Sequence, residues 1–342
     1  MRDARVDLLR CGMNYMIVLL HAYAAFQYCQ RGTFEYGFWR FVCNYLCDMA
    51  MPTFFFVSGY LLFKGYTLAS FPRKLLSRFK RLFIPYVCWN ALFVVFYLGF
   101  ASLVPRLESR VVRYSLDTWG GTLSKCFGLF ELPIDSPLWF VRSLLYLVVL
   151  SPLIFWIVKW SYYKALLGLL VAWCVGESLL GLSESLAFVL PAYSILCFTL
   201  GAVFSLRDVD PFDCFGNRMW LVTGAVACSV LWLFPFPGAS ALMVLEAAAL
   251  MSVAANLDCE KWLKIRPVAI LRSMSFFAYA SHFLFCSILL HVLAPRFAFL
   301  NHGKFTVLVV VFVGMGIPLI ALVYFAGRRF CPRLLRVLDG NL

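Results

Sequence analysis

Long apolar stretches recur along almost the whole chain and restrict the folds available to it. Ten of them approach the ~20 residues that a helix needs to cross ~30 Å of hydrocarbon. Because unsatisfied backbone N–H and C=O groups are costly in lipid, we expect each stretch to be a helix. The predicted fold is all-α: a polytopic integral membrane protein with a bundle of about ten transmembrane helices. We place the spans near 9–28, 40–63, 83–104, 138–158, 165–182, 186–206, 219–235, 239–257, 273–294 and 305–326.

The composition supports a bilayer environment. The chain is 63% hydrophobic and 14% charged, whereas a soluble domain is roughly half apolar and a quarter charged. Only "SES" at 183–185 separates the fifth and sixth stretches, so nine or eleven spans remain open. We expect one membrane domain over 1–342, with neither a cleaved leader nor a fused soluble domain. The longest stretch outside the membrane is 105–137, where we expect a short amphipathic helix.

The distribution of basic residues predicts the orientation. In the ten-span scheme, 21 of the 30 Lys and Arg residues fall on the side that carries both termini. Because cytoplasmic loops are enriched in Lys and Arg, both termini are expected in the cytoplasm. The net charge of +13 then faces anionic lipid or an anionic cytosolic ligand and requires no nucleic acid. A bacterial inner membrane is the expected location.

Few polar side chains occur at membrane depth, and such residues mark functional sites by default. Each has a structural alternative: Arg142 could snorkel outward, Glu246 could tie helices together, and His282 could be a core histidine. The 13 cysteines form no CxxC or CxxxH pattern, so we predict no metal; a disulfide between Cys29 and Cys126 stays open. The candidates are His21, Asp48, Ser58, Arg142, Glu177, Glu246 and His282.

The first span carries a polar stripe in "RCGMNYMIVLLH". Arg10 and His21 are eleven residues apart, which is about three helical turns and a rise of ~16.5 Å. Asn14 and Asp7 fall on the same face. Hydrogen bonding between helices would explain Asn14 alone, but it explains an Arg-to-His track poorly.

A basic pair opens the third span in "RFKRLFIPY". Arg78 and Arg81 are spaced i, i+3, and two guanidinium groups on one face suit a phosphate ligand because each can donate two hydrogen bonds. Anchoring at the cytoplasmic surface is the alternative explanation, and the residues alone do not decide between the two.

Five motifs in chain order resemble the membrane acyltransferase family 3, which comprises ten-helix enzymes that acylate cell-envelope carbohydrates. The hallmark is an Arg separated by ten residues from a His in the first span, as at Arg10 and His21. "FFFVSGYLLF", "RFKRLFIPYVCW", "PLWFVRSLLYLV" and "SFFAYASHFLF" resemble the family's later segments. The resemblance extends over about residues 5–326.

This resemblance implies transfer of an acyl group, usually acetyl, from cytosolic acyl-CoA to a carbohydrate or glycolipid hydroxyl. His21 would be the catalytic histidine, because an imidazole suits general-base work. Beyond the resemblance, we take His282 as the candidate for orienting the acceptor or the base, and Asp48 as the candidate for orienting His21. CoA-binding residues would be Arg10, Asn14, Arg78 and Arg81. Substrate-binding candidates are Ser58, Trp139, Arg142, Glu246 and Tyr279.

Other classes of function remain open. A transporter or flippase of a small molecule or a lipid-linked glycan would also have many spans and intramembrane charge, although internal repeats are not evident. A non-catalytic scaffold would give no reason for the aligned Arg and His. The acceptor, the acyl group, direct attack versus an acyl-histidine intermediate, and the oligomeric state are not determined by the sequence.

Overall fold

The structure is a computed structural model that describes residues 3–22, 34–42, 46–101, 113–129, 131–180, 190–216, 218, 222, 239–288 and 312–341. Within these ranges every regular element is a helix, in agreement with the predicted all-α class. The helices are α1 (Ala4–Ala22), α2 (Phe34–Phe41), α3 (Ala50–Phe63), α4 (Phe71–Arg78), α5 (Ile84–Phe100), α6 (Trp119–Phe127), α7 (Trp139–Val149), α8 (Ser151–Lys159), α9 (Tyr163–Leu180), α10 (Ala192–Leu206), α11 (Pro211–Gly216), α12 (Ala239–Ala255), α13 (Cys259–Lys264), α14 (Arg266–Ser273), α15 (Ser275–Ile288), α16 (Ile317–Phe330) and α17 (Pro332–Leu338).

Two helical stretches of the described chain are long and apolar enough to cross a membrane, Leu68–Phe100 and Val313–Phe330. Two pairs of consecutive helices, α7 with α8 and α14 with α15, would each pass the same test as one bent span. The described residues therefore contain two helices that could span a membrane, or up to four if each bent pair is one span. The ten-span scheme and the cytoplasmic termini stay predictions, and most of the predicted span 219–235 lies outside the described residues.

Several helix boundaries differ from the predicted spans because of proline. The span predicted at 138–158 is two helices that meet at Leu150, with Pro152 in the first turn of the second. Proline has no N–H and crowds the preceding turn, so it is favourable at a helix start and breaks a helix interior. The span predicted from 40 likewise begins as α3 at Ala50, after a turn at 47–49.

The chain divides into two compact units. Unit 1 comprises 1–17, 44–78 and 143–275. Its closest helix packing is between α3 and α10, where Gly59 meets the Phe198 carbonyl and Gly201 meets the Phe56 carbonyl. A methyl group at either glycine would overlap the facing backbone. Small residues that let two backbones approach are the usual basis of helix packing in membranes.

Polar contacts tie the start of α1 to later parts of unit 1. Arg5 forms ion pairs with Asp210 at 2.9 Å and Asp213 at 3.3 Å, and its guanidinium lies over the Phe212 ring. Further along α1, Asp7 pairs with Arg272 at 3.7 Å. These contacts fix the position of α1, the helix that carries Arg10 and His21. Asp7, which belongs to the polar stripe of this helix, therefore has a structural role in the ion pair with Arg272.

Unit 2 comprises 18–43, 79–142 and 276–342 and includes α5. Phe93 and Tyr97 are fully buried in its core, and α15 packs there through Phe283, whose ring stacks on Phe93 at 5.9 Å. The helix expected within 105–137 is α6. It begins after Thr118, and the Thr118 hydroxyl caps it by accepting a hydrogen bond from the Gly121 N–H.

A π turn at Phe79–Phe83 joins α4 to α5. Pro85 explains it: without an N–H, Pro85 cannot donate to the carbonyl of Arg81 four residues earlier, so the regular ladder is interrupted. Single π turns inside helices are rare and occur frequently at functional sites. The basic pair Arg78/Arg81 lies at this turn.

Candidate functional site

A pair of histidines from distant parts of the sequence meets in unit 2. The ring centroids of His21, in the last turn of α1, and His282, on α15, lie 4.9 Å apart in an edge-to-face arrangement. Phe283 packs on the His21 ring at 6.0 Å. The two residues named as catalytic candidates on independent motifs are therefore neighbours.

The hydrogen bonding of His282 defines its tautomer. Its ring is fully buried, and Nδ1 lies 2.5 Å from the backbone carbonyl of Tyr279. Because a carbonyl only accepts, Nδ1 carries the proton in this hydrogen bond and Nε2 presents a lone pair. Within the described part of the chain, Nε2 has no hydrogen-bond partner. A buried imidazole held in this form can accept a proton or a hydrogen bond.

Tyr279 fixes the helix turn that precedes His282. Its ring is buried, and its hydroxyl donates a 2.7 Å hydrogen bond to the carbonyl of Pro137. The Tyr279 and His282 ring centroids are 6.2 Å apart. This hydrogen bond joins α15 to the segment before α7, and the predicted contact of Tyr279 with substrate stays a prediction.

A buried polar group that the sequence analysis missed occurs in the same segment. Asp135 is 1% exposed, and its backbone N–H donates to the side-chain oxygen of Asn90 at 3.0 Å. Burial raises the pKa of the Asp135 carboxyl well above its usual range. Asp135 immediately precedes Ser136 and the "PLWF" segment. It lies outside the predicted spans, where an Asp is usually a solvated loop residue, so no sequence signal marked it as buried.

Arg142 is buried rather than directed toward water. It is 1% exposed, and its guanidinium donates to the carbonyls of Gly128, at 2.9 Å, and Glu131. Tyr86 donates to the neighbouring carbonyl of Phe127 at 2.8 Å. The outward-snorkelling alternative is thus wrong. A cation and a phenol together satisfy carbonyls at the C-terminal end of α6, where positive charge is favourable.

The basic candidates lie on α1, at the end of α4 and in the π turn that follows α4. Arg10 and His21 belong to the same uninterrupted helix, α1, and Arg10 is exposed while Asn14 is half-buried. Arg78 ends α4 and is half-buried, and Arg81 is exposed in the π turn. The predicted contacts of these residues with a phosphate ligand stay predictions.

The acidic candidates belong to unit 1. Glu246, on α12, is 3% exposed, and its Oε2 has no hydrogen-bond partner among the described residues. It is within electrostatic range of the half-buried Asp48. The predicted role of Asp48 beside His21 stays a prediction. Ser58 on α3 and Trp139 at the start of α7 are half-buried, and their predicted substrate contacts also stay predictions.

Comparisons with known proteins match the chain to an acyltransferase family. The family model for acyltransferase family 3, described as "Acyltransferase domain", matches residues 3–326. A curated relative, the succinoglycan biosynthesis protein ExoH of Rhizobium meliloti (strain 1021), is 27% identical over 184 residues, which is 51% of this chain and 47% of the relative. The match thus spans about half the length of that relative. No solved structure matches the chain.

Proposed function

This chain belongs to acyltransferase family 3, whose members are membrane enzymes that transfer acyl groups, and we propose that it moves an acyl group from acyl-CoA to a carbohydrate hydroxyl. The observation that carries the proposal is the contact between half-buried His21 and fully buried His282, whose ring centroids lie 4.9 Å apart. General-base catalysis needs an imidazole protected from bulk water and held in one tautomer. The Tyr279 carbonyl provides this restraint for His282.

His21 acts as the general base. It removes the proton of the attacking hydroxyl while the oxygen bonds to the thioester carbonyl carbon. When the C–S bond breaks, the imidazolium returns that proton to the departing thiolate, so the products are an ester and the free CoA thiol. Because two positive charges in one buried site repel each other, the histidine pair holds at most one added proton. His282 orients either the base or the acceptor.

The donor is held by arginine. Acyl-CoA carries several phosphate charges, and guanidinium groups bind phosphate through paired hydrogen bonds. Arg10 and His21 share α1, and eleven residues of helix rise ~16.5 Å. This separation is comparable with the length of an extended pantetheine arm, so Arg10 binds the phosphates while the thioester reaches His21. Arg78 and Arg81 complete the phosphate contacts, with Asn14 between the two ends.

The acceptor is an envelope or exported polysaccharide precursor. The relative named above takes part in succinoglycan biosynthesis according to its name, which supports a polysaccharide acceptor for this chain. A carbohydrate presents many hydroxyls of similar acidity, so selection among them requires side chains that orient the sugar. Trp139 and Ser58 are the candidates for this contact, and acetyl is the proposed acyl group.

Transfer of radiolabel from acetyl-CoA tests the proposal. The purified protein in lipid nanodiscs is incubated with labelled acetyl-CoA and a membrane glycan fraction, and label in glycan is measured. We expect His21→Ala to abolish transfer and His282→Ala to reduce it strongly. Ser281→Ala is the matched control, because its buried hydroxyl has no hydrogen-bond partner in the described structure. Transfer by His21→Ala above a tenth of the wild-type rate would contradict the base role.

Two further measurements resolve the mechanism. A burst of CoA release without acceptor would show an acyl-histidine intermediate, whereas release that requires acceptor supports direct attack. The KM for the acceptor separates the two roles of His282: it rises in His282→Ala if this residue orients the acceptor, and only kcat falls if it orients His21.

A further inference from the structure

The last residues of the chain lie against the two parts of unit 2 that carry proposed functional residues. Helix α17 ends at Leu338, and the indole N–H of Trp89, on α5, donates a 3.0 Å hydrogen bond to the Leu338 carbonyl. Trp89 is 3% exposed, so this contact is shielded from competing solvent. It fixes the end of α17 against the cytoplasmic-side start of α5 in the proposed orientation.

Asp339 follows directly and lies at the start of α15. Its carboxylate faces the backbone N–H of Phe277, in the first turn of α15, and accepts a hydrogen bond from the Asn341 side chain at 2.6 Å. The N–H groups of a first helical turn have no partner within the helix, and negative charge is favourable there. Asp339 therefore holds the start of the helix that carries His282 five residues further on.

Gly340 lies against the π turn. It has a φ of +68°, a conformation that glycine adopts readily, and a methyl group in its place would overlap the carbonyl oxygen of Arg81. That carbonyl is the one whose usual helical donor is replaced by Pro85. The absence of a Cβ at Gly340 thus allows the chain end to approach the turn that carries Arg81.

We propose that Asp339 and Gly340 are positioning residues for acyl transfer: Asp339 sets the position of α15 and its His282, and Gly340 sets the position of the turn that bears Arg81. The inference rests on the proposed function and extends it to a segment that no functional motif includes. Neither residue touches the reacting groups. Each acts through a helix end that it contacts directly, so the two should affect different kinetic constants.

Steady-state kinetics of the full-length protein in nanodiscs test this separation. Displacement of a catalytic group by about 1 Å can cost up to ~100-fold in rate. We expect Asp339→Ala to lower kcat about tenfold or more while the KM for acetyl-CoA changes less than about twofold. Asp339→Asn should recover most of the rate, because its amide oxygen still accepts from the Phe277 N–H.

Gly340→Ala should show the opposite pattern, with a KM for acetyl-CoA raised several-fold and kcat close to wild type. Arg333→Lys is the matched control on α17, because this side chain is exposed and the change keeps its charge. We expect it to leave both constants unchanged. If Asp339→Ala and Gly340→Ala alter kcat and KM in the same way, the inference is wrong.

Amide hydrogen exchange provides a measure that does not depend on activity. Exchange at Phe277 should be faster in Asp339→Ala than in the wild-type protein, and it should be near the wild-type rate in Asp339→Asn. Unchanged exchange at Phe277 in Asp339→Ala would overturn the inference. Faster exchange with an unchanged kcat would also overturn it while leaving the proposed function intact. If exchange at Phe277 changes as expected but the wild-type protein transfers no acyl group, the proposed function is wrong and the structural contact of Asp339 stands.

Discussion

Replacement of Arg142 by methionine separates a structural role from a substrate-binding role. Arg142 is buried and donates to the carbonyls of Gly128 and Glu131, which follow α6. Methionine fills a similar volume but donates no hydrogen bond. We therefore expect the α6 region to open more easily, with donor binding nearly unchanged.

The magnitude follows from the two carbonyls that lose this donor. Leaving a buried polar group without a partner costs about 1–3 kcal/mol. The Tyr86 hydroxyl also lies 3.4 Å from the Gly128 carbonyl and partly compensates there, so the two carbonyls together cost roughly 3 kcal/mol. This lowers the free energy of local opening, and each 1.4 kcal/mol is about tenfold in an equilibrium constant. Amide exchange over 119–128 should accelerate by roughly a hundredfold.

Hydrogen exchange of the protein in nanodiscs, followed by peptide mass analysis, measures this change. Ser281→Ala provides a control at another buried site of unit 2, and Arg142→Lys should give an intermediate result because a single ammonium reaches fewer carbonyls. Unchanged exchange over 119–128 together with a large loss of acetyl-CoA or acceptor affinity would refute the structural role. That result would return Arg142 to the substrate-binding site.

Three further predictions concern packing, pH and donor binding. Gly59→Val should lower the thermal unfolding temperature because its side chain would overlap the Phe198 carbonyl, and Gly99→Val, where nothing lies within 4 Å, is the control. Burial raises the pKa of Asp339 from 3.8 to about 6; its stabilising contribution is complete below about pH 4 and is lost as the pH rises through 6. The free energy of unfolding should therefore fall from pH 4 to 7, and Asp339→Asn should abolish this dependence. Arg81→Gln should raise the KM for acetyl-CoA at least fivefold, whereas Lys80→Gln, on the same turn, should change it less than twofold; equal effects would indicate general surface charge.

The class of fold was predictable because it depends on composition and on the length of apolar stretches. Where the helices end was less predictable. Pro152 signals the break within 138–158, since proline disrupts a helix interior, yet the hydrophobic pattern continues across it. The start of α3 at Ala50 was not predicted either, although Pro52 lies in its first turn.

The site was predictable one residue at a time, but its arrangement was not. His21 and His282 each stand out as polar groups in apolar sequence, whereas their contact depends on how α1 and α15 pack. From the sequence, Arg142 was expected to bind substrate or to extend toward water. Its partners are backbone carbonyls, and no sequence pattern indicates such contacts. Asp135 and Asp339 lie outside the predicted spans, where Asp is usually solvated. Only the packing of the helices shows that Asp135 is buried and that Asp339 lies at the start of α15.

The central claim is that the imidazole of His21 is the base that activates the acceptor hydroxyl. The most direct measurement is single-turnover transfer of label from saturating acetyl-CoA to glycan by the wild-type protein and His21→Gln, with donor affinity measured on the same samples by calorimetry. The account predicts donor affinity within about threefold and a transfer rate reduced at least a hundredfold. A His21→Gln protein that binds the donor normally and transfers label at a rate close to wild type would contradict it.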